Sequence, residues 1–218
     1  MSLVLYTSKV SPPSRAVMML IEILGLDITY KEVSLPRREH LTLEYRSKNP
    51  LHTIPMLEDS GFIIVDSHAI MPYLVSKYTE GSTLYPKDLK ARSLVDQRLY
   101  FDATILFPRL RSVIYSLAYG KTAGVTDEQS KDIIDAYDFM EQYLQETKYI
   151  AGNILTVADL SCVATLSSLR YVVPISDKYV KIKEWWSKLQ GEQWYLSRNY
   201  PGATEFGVFM SSLLARQQ

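Results

Sequence analysis

The first eighty residues alternate short apolar runs with amphipathic segments. This pattern predicts helices at residues 15–24, 41–47 and 67–78, and strands at 3–6, 28–33, 53–57 and 62–65. Residues 58–61 join the last two strands, and their length and glycine suit a hairpin. A βαβ unit followed by a ββα unit predicts a mixed sheet covered by helices, which is the thioredoxin type of layout.

After residue 84 no segment alternates as a strand does, and the pattern becomes helical. Helices are predicted at residues 87–119, 126–145, 157–169, 179–189 and 204–214. Pro108 removes a helical hydrogen bond and should bend the first of these helices near residues 106–110. The polar, glycine- and proline-marked stretch between the two styles reads as a linker. We therefore expect a thioredoxin-like domain at 1–79, a linker at 80–87 and an all-helical domain at 88–218.

Composition narrows the class of protein. The 218 residues carry 24 basic and 24 acidic side chains, so no overall field favours nucleic acid or an anionic membrane. Cys162 is the single cysteine, which excludes an internal disulfide, fits a reducing compartment and reads as a small buried hydrophobe. The N-terminus shows no secretory signal, and residues 16–26 are too short an apolar run to span a bilayer. A cytoplasmic protein without a membrane helix is expected.

One helix start is clearly encoded near residue 156. Thr156 is an N-cap residue, Asp159 stands three residues later as its reciprocal partner, and Leu155 and Leu160 flank them as a hydrophobic staple. Such a cap stabilises the fold, and we assign it no catalytic role.

The segment Ser11-Pro12-Pro13-Ser14 lies between the first strand and the first helix. A helix start presents backbone N–H groups and a partial positive charge, which favour a bound anion such as a thiolate. A redox enzyme of this layout would have cysteines at positions 11 and 14. Because both are serines, the site suits stabilising the thiolate of another molecule and cannot form a disulfide. For Ser14 we favour helix capping.

Two further motifs surround the third strand. In Ile54-Pro55 the proline removes a ladder donor, which suits a sheet edge or a cis turn. A cis bond would turn the Ile54 backbone toward a ligand lying alongside as an extra strand. Asp66 and Ser67 stand where a helix begins, so they could capture the amino-carboxylate end of a peptide.

Together these residues resemble a known family. The chain contains Tyr-x₄-Ser-Pro-Pro-x-Arg from Tyr6, Asn-Pro-x-His-Thr-Ile-Pro from Asn49, Asp-Ser-His-Ala-Ile from Asp66, and Thr-Val-Ala-Asp from Thr156. Over essentially its whole length it resembles a cytosolic glutathione S-transferase, of the arthropod delta/epsilon type with epsilon preferred. The resemblance implies an N-terminal glutathione site, a helical domain lining a hydrophobic-substrate site, and a homodimer.

The resemblance also implies residue roles. Ser11 would be catalytic, donating a hydrogen bond to the glutathione sulfur and keeping it as thiolate. The Ile54 main chain would pair with the cysteinyl backbone, Asp66 and Ser67 would hold the γ-glutamyl end, and the histidines would reach toward the glycyl carboxylate. The implied glutathione-binding set is Ser11, His40, His52, Thr53, Ile54, Pro55, Asp66, Ser67 and His68. His68 could instead pack or face a dimer partner, and no metal is assigned because the histidines lack metal-type spacing.

The second substrate is expected to meet the helical domain. Residues near the Pro108 bend recur at helical spacing, for which core packing is the ordinary explanation and the resemblance adds a pocket role. Residues near the C-terminus could form a mobile lid or an ordinary docking helix. The implied hydrophobic-substrate set is Pro13, Phe107, Arg111, Ile114, Tyr115, Tyr119, Phe206, Phe209 and Met210.

The leading functional hypothesis is a transferase that activates glutathione for attack on small apolar electrophiles, as in detoxification and xenobiotic metabolism. A noncatalytic carrier of hydrophobic ligands such as steroids is the alternative. A related subgroup that is linked to steroid hormone synthesis places an acidic residue in the substrate pocket. This chain has no acidic residue between Asp102 and Asp127, which weakens that assignment. A thiol-disulfide or dehydroascorbate reductase is a third reading, but it needs a cysteine where the chain has Ser11.

Overall fold

The computed structural model describes residues 3–215 of the chain. Its first part holds a four-stranded sheet in the spatial order β2-β1-β3-β4, made of β1 (Leu3–Thr7), β2 (Thr29–Glu32), β3 (Met56–Asp59) and β4 (Phe62–Val65). β2 runs parallel to β1, while β3 is antiparallel to both β1 and β4. The predicted mixed sheet is confirmed.

Three helices cover this sheet. α1 (Pro12–Leu24) and α3 (Ser67–Tyr78) pack on one face, whose core includes Leu5 and Leu57. α2 (Leu43–Lys48) covers the other face, where the half-buried Tyr6 lies beside the buried Tyr45. The alternation of side chains along each strand therefore gives both faces of the sheet an apolar cover.

The hairpin between β3 and β4 is tighter than the sequence pattern indicates. The strand starts after Pro55 and continues to Asp59, so that only Ser60 and Gly61 form the turn. Both have positive φ, 52° and 89°, as a two-residue hairpin of matching twist requires. The predicted strand at 53–57 is thus shifted, because proline cannot donate to the ladder.

The second part of the described chain is helical. Its helices are α4 (Leu89–Phe101), α5 (Phe107–Ala118), α6 (Asp127–Tyr143), α7 (Val157–Leu169), α8 (Val180–Gln190), α9 (Gln193–Arg198) and α10 (Tyr200–Ala215). A π-helical segment, Asp102–Leu106, separates α4 from α5 directly before Pro108. A short 3-10 helix, Glu39–Leu41, precedes α2. The sequence pattern missed α9 and started the last helix at 204 instead of 200.

α7 is the central helix, and all of its residues are buried. The predicted cap is present, since the Thr156 N–H donates to Asp159 Oδ2 over 2.9 Å. The other carboxylate oxygen accepts from the Ile150 N–H and from the Trp185 indole. Burial raises the pKa of Asp159, and these hydrogen bonds oppose that rise. The cap therefore joins three segments of the helical part.

α1 packs directly against α7. Arg15 is fully buried between them, and its Nη2 donates to the Ala164 carbonyl over 2.7 Å and to Ser168 Oγ over 2.6 Å. These bonds fix the N-terminal end of α1 against the helical part. Cys162 is buried in α7, as predicted. Among residues 3–215 no helix is long and apolar enough to cross a membrane.

Candidate functional site

The turn formed by residues 8–11, called here the Ser11 turn, connects β1 to α1. The Ser11 N–H donates to the Ser8 carbonyl over 3.0 Å, and the Ser8 N–H donates to Ser14 Oγ over 3.4 Å. Ser14 is fully buried, so its hydroxyl supports the turn. Ser11 occupies the N-cap position in an extended conformation. Within the described chain its hydroxyl makes no capping hydrogen bond, which leaves it available to a ligand.

The first turn of α1 has an unusual donor set. Pro12 and Pro13 occupy its opening positions and have no N–H groups. An ordinary helix start offers several free backbone donors, and here two of them are missing. A ligand anion would therefore depend on the Ser11 hydroxyl more than at an ordinary helix N-terminus.

The loop before β3 is held by Asn49, which is 1% exposed. The Asn49 amide nitrogen donates to the Thr53 carbonyl over 2.9 Å, and its oxygen accepts from the Leu51 N–H over 3.0 Å. The Tyr45 hydroxyl also donates to the Thr53 carbonyl, over 2.7 Å. The Ile54-Pro55 bond is cis, one of the two arrangements predicted. In the described residues the Ile54 N–H and carbonyl have no protein partner, so both remain free for a ligand backbone.

Two histidines lie together beside this loop. The ring centroids of His40 and His52 are 6.3 Å apart. Burial, followed by the nearby His52 and Arg38, lowers the pKa of His40, so this ring is mostly neutral at pH 7. His52 has a φ of 46°, a conformation that costs free energy in residues other than glycine. A neutral imidazole can still donate one hydrogen bond to a carboxylate.

Asp66 forms the start of α3 with a φ of 74°. Its Oδ1 accepts from the His68 N–H over 2.9 Å and lies 2.8 Å from His68 Nδ1. The hydrogen bond from His68 lowers the pKa of Asp66, which is therefore a carboxylate at neutral pH. Its side chain remains 61% exposed. Strained, exposed and charged, Asp66 is positioned to receive a cationic group of a ligand.

His68 links this helix start to the helical part of the protein. Its Nε2 lies 3.0 Å from Oδ2 of Asp102, at the start of the π-helical segment, and that oxygen also accepts from Ser161 of α7. Burial alone would lower the pKa of His68, but the bonds to Asp102 and Asp66 outweigh it and raise the pKa to about 9. Both ring nitrogens of His68 therefore lie within hydrogen-bonding distance of a carboxylate, and the ring connects Asp66 to Asp102.

A row of exposed side chains follows one side of α5. Arg111 Nη2 donates to the Tyr115 hydroxyl over 3.1 Å, and the Tyr115 and Tyr119 rings are stacked with centroids 5.6 Å apart. Tyr115 is 44% and Tyr119 66% exposed. Phe107, Ile114 and Pro13 are half-buried. These residues present aromatic surface that a flat apolar molecule could contact.

The three candidates on α10 have different environments. Phe206 is 3% exposed and Met210 is 1% exposed, and both belong to the main core. Phe209 is 42% exposed and lies 6.4 Å from Phe206 between ring centroids. In this structure only Phe209 of the three presents its ring to solvent.

Sequence reasoning did not single out Asp102, Ser161 or Tyr45. Asp102 is 34 positions from His68 along the chain, and no local pattern signals that pairing. The sequence signal available was an acidic residue within an otherwise apolar helical stretch. The side chains predicted from the N-terminal motifs fall on three neighbouring segments: the Ser11 turn, the loop before β3 and the start of α3.

The described residues also form two surface cavities. One of about 400 Å³ is bordered by the end of α6 and by α8, and the other, of about 330 Å³, lies between β2 and α2. Neither is lined by a residue of the predicted sets. In the portion of the chain from 3 to 215, no group of three or more histidine, cysteine or acidic side chains could hold a metal.

Two family models match the chain. Residues 5–82 match the model of the N-terminal domain of glutathione S-transferase, and residues 98–192 match the model of its C-terminal domain. The two matches coincide with the sheet-containing part and with most of the helical part.

Individual relatives match over nearly their full length. Glutathione S-transferase 1 of Manduca sexta is 42% identical over 205 residues, covering 93% of this chain and 94% of the relative. An epsilon-class glutathione S-transferase of the housefly, Musca domestica, superposes with a TM-score of 0.95 at 42% identity, covering 97% and 98%. A glutathione transferase homologue of Drosophila mojavensis, solved with bound glutathione, gives 0.94 at 42% identity, covering 97% of each chain.

Proposed function

The chain belongs to the glutathione S-transferase family, of the arthropod delta/epsilon type, and we propose that its Ser11 hydroxyl activates glutathione by stabilising the thiolate. The protein is a glutathione transferase, and glutathione is its co-substrate. The Ser11 hydroxyl donates a hydrogen bond to the sulfur without losing its own proton. A free thiol has a pKa near 8.5, so a stabilised thiolate gives a larger reactive fraction at neutral pH.

The observation that carries this proposal is the unused hydroxyl of Ser11. An N-cap serine ordinarily spends its oxygen on the first turn of the helix, whereas in residues 3–215 Ser11 makes no such bond. Pro12 and Pro13 also remove competing backbone donors. Ser11 is therefore the polar group best suited to the sulfur.

The other groups of glutathione are assigned to residues of the loop before β3 and of the start of α3. We assign the cysteinyl backbone to the free N–H and carbonyl of Ile54, after Thr53 and before cis Pro55. The α-amino group of the γ-glutamyl end pairs with the Asp66 carboxylate, and Ser67 binds its carboxylate. His40 and His52 bind the glycyl carboxylate. Opposite charges and free donors thus match both ends of the tripeptide.

We assign the electrophile to the row on α5 and to Phe209. The exposed rings of Tyr115, Tyr119 and Phe209 supply apolar contact, and Arg111 supplies a cation that polarises a carbonyl or nitro oxygen. The substrate class is therefore a small aromatic or conjugated electrophile, and detoxification is the physiological role that fits it.

Further features of the molecule are part of the proposal. The domain limits are 1–79 and 88–218, with residues 80–87 as linker. Homodimer formation is supported by exposed apolar side chains such as Phe62, Leu94 and Tyr100. A cytoplasmic location is supported by the single cysteine, which allows no internal disulfide.

The test compares wild type with Ser11→Ala and Ser11→Thr at saturating glutathione, using a chloronitrobenzene as electrophile. Loss of one preorganised hydrogen-bond donor costs about a hundredfold in kcat, so the kcat of Ser11→Ala should be lower than that of wild type by this factor. Ser11→Thr keeps a hydroxyl and should retain more activity. The ultraviolet absorbance of the thiolate, followed against pH in the glutathione complex, should show a higher thiol pKa in Ser11→Ala.

Either of two outcomes would remove Ser11 from the mechanism: equal turnover in wild type and Ser11→Ala, or an unchanged thiol pKa in the bound glutathione. Glutathione binding without any conjugation by the wild type would instead favour the carrier of hydrophobic ligands.

A further inference from the structure

The start of α10 lies against the backbone of the Ser11 turn. A Cβ atom placed on Gly202 would lie 1.9 Å from the Lys9 carbonyl oxygen and 2.8 Å from its carbonyl carbon. It would also lie 2.9 Å from Cδ of Arg15. Ordinary van der Waals contact begins at 3.4 Å, so this position has room for no side chain at all.

The groups around Gly202 cannot easily yield. One neighbour is main chain, and the other, Arg15, is fully buried and bonded to Ala164 and Ser168 of α7. An ion pair of 2.8 Å between Lys9 and Glu205 adds a second link between the turn and α10. A methyl group at position 202 would therefore displace the Lys9 peptide, the start of α10, or both.

Lys9 is two residues before Ser11, and the turn is closed by the hydrogen bond from the Ser11 N–H to the Ser8 carbonyl. A displacement of the Lys9 peptide therefore moves Ser11 as well. Misplacing a reacting group by about 1 Å can cost about a hundredfold in rate. The position of α10 thus bears on the orientation of the Ser11 hydroxyl.

We infer that Gly202 is a positioning residue for the transferase reaction. Because Gly202 has no side chain, α10 can pack against the backbone of the Ser11 turn and hold the Ser11 hydroxyl toward the glutathione sulfur. The inference rests on the proposed role of Ser11. It adds a determinant of thiolate stabilisation that lies in the C-terminal helix, about 190 positions away along the chain.

Close packing for stability alone is the competing explanation, and Gly207 provides the matched control. It lies in the same helix, and a Cβ there would lie 2.6 Å from Cε1 of Tyr171. That neighbour is a half-buried side chain and not main chain, and its hydroxyl accepts a hydrogen bond from Arg170 over 2.7 Å. Alanine at either position adds one methyl group and the same gain in helix propensity.

The experiment measures four quantities for wild type, Gly202→Ala and Gly207→Ala: the thiol pKa of bound glutathione, kcat, KM for glutathione, and Tm. Gly202→Ala should raise the thiol pKa by about one unit, which lowers the thiolate fraction up to about tenfold where the pH lies below both pKa values. Its kcat should fall at least tenfold while KM changes less than threefold. Gly207→Ala should also lower Tm but leave the thiol pKa and kcat near wild type.

An unchanged thiol pKa and kcat in folded Gly202→Ala would overturn the inference, as would an equal loss in Gly207→Ala. If Gly202→Ala does not fold, Pro201→Gly takes its place, because it loosens the first turn of α10 without adding an atom at the contact. It should raise the thiol pKa in the same direction by a smaller amount, and no shift would overturn the inference. Ser11→Ala separates the two claims: a raised thiol pKa there, with none in the α10 variants, removes Gly202 alone.

Discussion

The two sides of the candidate site are built differently. The side assigned to glutathione is held by polar bonds and by unusual backbone conformations, as at Asn49, His52 and Asp66. The side assigned to the electrophile consists of exposed rings on α5 and α10, whose contacts are mainly stacking. A fixed polar frame selects one co-substrate, while an adaptable apolar surface accepts many shapes.

The difference also appears in how each side is anchored. Asp66 is connected through His68 and Asp102 to Ser161, so the side assigned to glutathione is bonded to the central helix. The α5 row is connected mainly to itself, through Arg111, Tyr115 and Tyr119. Changes on the first side should therefore affect stability and glutathione binding together, and changes on the second should affect substrate choice alone.

The largest effect on the free energy of unfolding is expected from a substitution in α10, where a buried and an exposed phenylalanine can be compared. Phe206→Ala should lower the free energy of unfolding by about 4 kcal/mol, because it empties a core position, whereas Phe209→Ala should cost less than about 1 kcal/mol. Urea denaturation of both variants measures this. Equal costs would mean that Phe206 is not part of the core and that α10 faces the substrate with both rings.

A pH effect comes next and concerns His68. Its pKa of about 9 lies above the 6.5 of an unfolded histidine, so its stabilising contribution is present below pH 6.5 and is lost as the pH rises through 9. The full contribution is about 3 kcal/mol. The difference in unfolding free energy between wild type and His68→Gln should therefore shrink from pH 6.5 to pH 9.5 in urea titrations. A difference independent of pH would contradict a charged His68.

Asn49→Ala should have an intermediate effect that sharpens the comparison. It removes the hydrogen bonds that hold residues 51–53, at a cost of about 2 kcal/mol in unfolding free energy. KM for glutathione should rise several-fold, because the Ile54 backbone loses its fixed position. Ser47→Ala, which loses one exposed bond to the Glu44 carbonyl, is the control. An unchanged KM in Asn49→Ala would show that the loop does not orient glutathione.

The smallest effect on stability is expected for Arg111→Ala. Because its partner is an exposed tyrosine, the unfolding free energy should change by less than about 0.5 kcal/mol. Turnover should fall about fivefold with a nitro-bearing electrophile and less with one lacking oxygen acceptors, while KM for glutathione stays constant. Steady-state kinetics with both electrophiles checks this. A uniform loss across electrophiles would argue against direct contact.

The sequence predicted what local chemistry dictates. The Thr156 cap and the hairpin follow from side chains within a few positions of each other, and both are present. The cis bond before Pro55 is one of the two arrangements that the sequence left open. α9 and the start of α10 were missed because Pro201-Gly202 signals a turn, although proline is tolerated in a first helical turn and Gly202 is required there by contact with Lys9.

The candidate site residues also divide into those that local sequence predicts and those that depend on distant contacts. Motifs predicted candidate residues in the Ser11 turn, the loop before β3 and the start of α3, since each is a continuous segment. The burial of Phe206 beside the exposed Phe209, and the bond between His68 and Asp102, depend on how distant helices pack. Helical spacing alone leaves such register undetermined.

The enclosed position of α7 has a thermodynamic consequence for the whole molecule. α7 has no solvent-facing side, and α1 covers part of it through Arg15. If the sheet-containing part unfolded alone, it would expose this apolar helix to water, which costs roughly 25 cal/mol for each Å². The two halves should therefore lose their structure in one cooperative transition, although two separate family models match them.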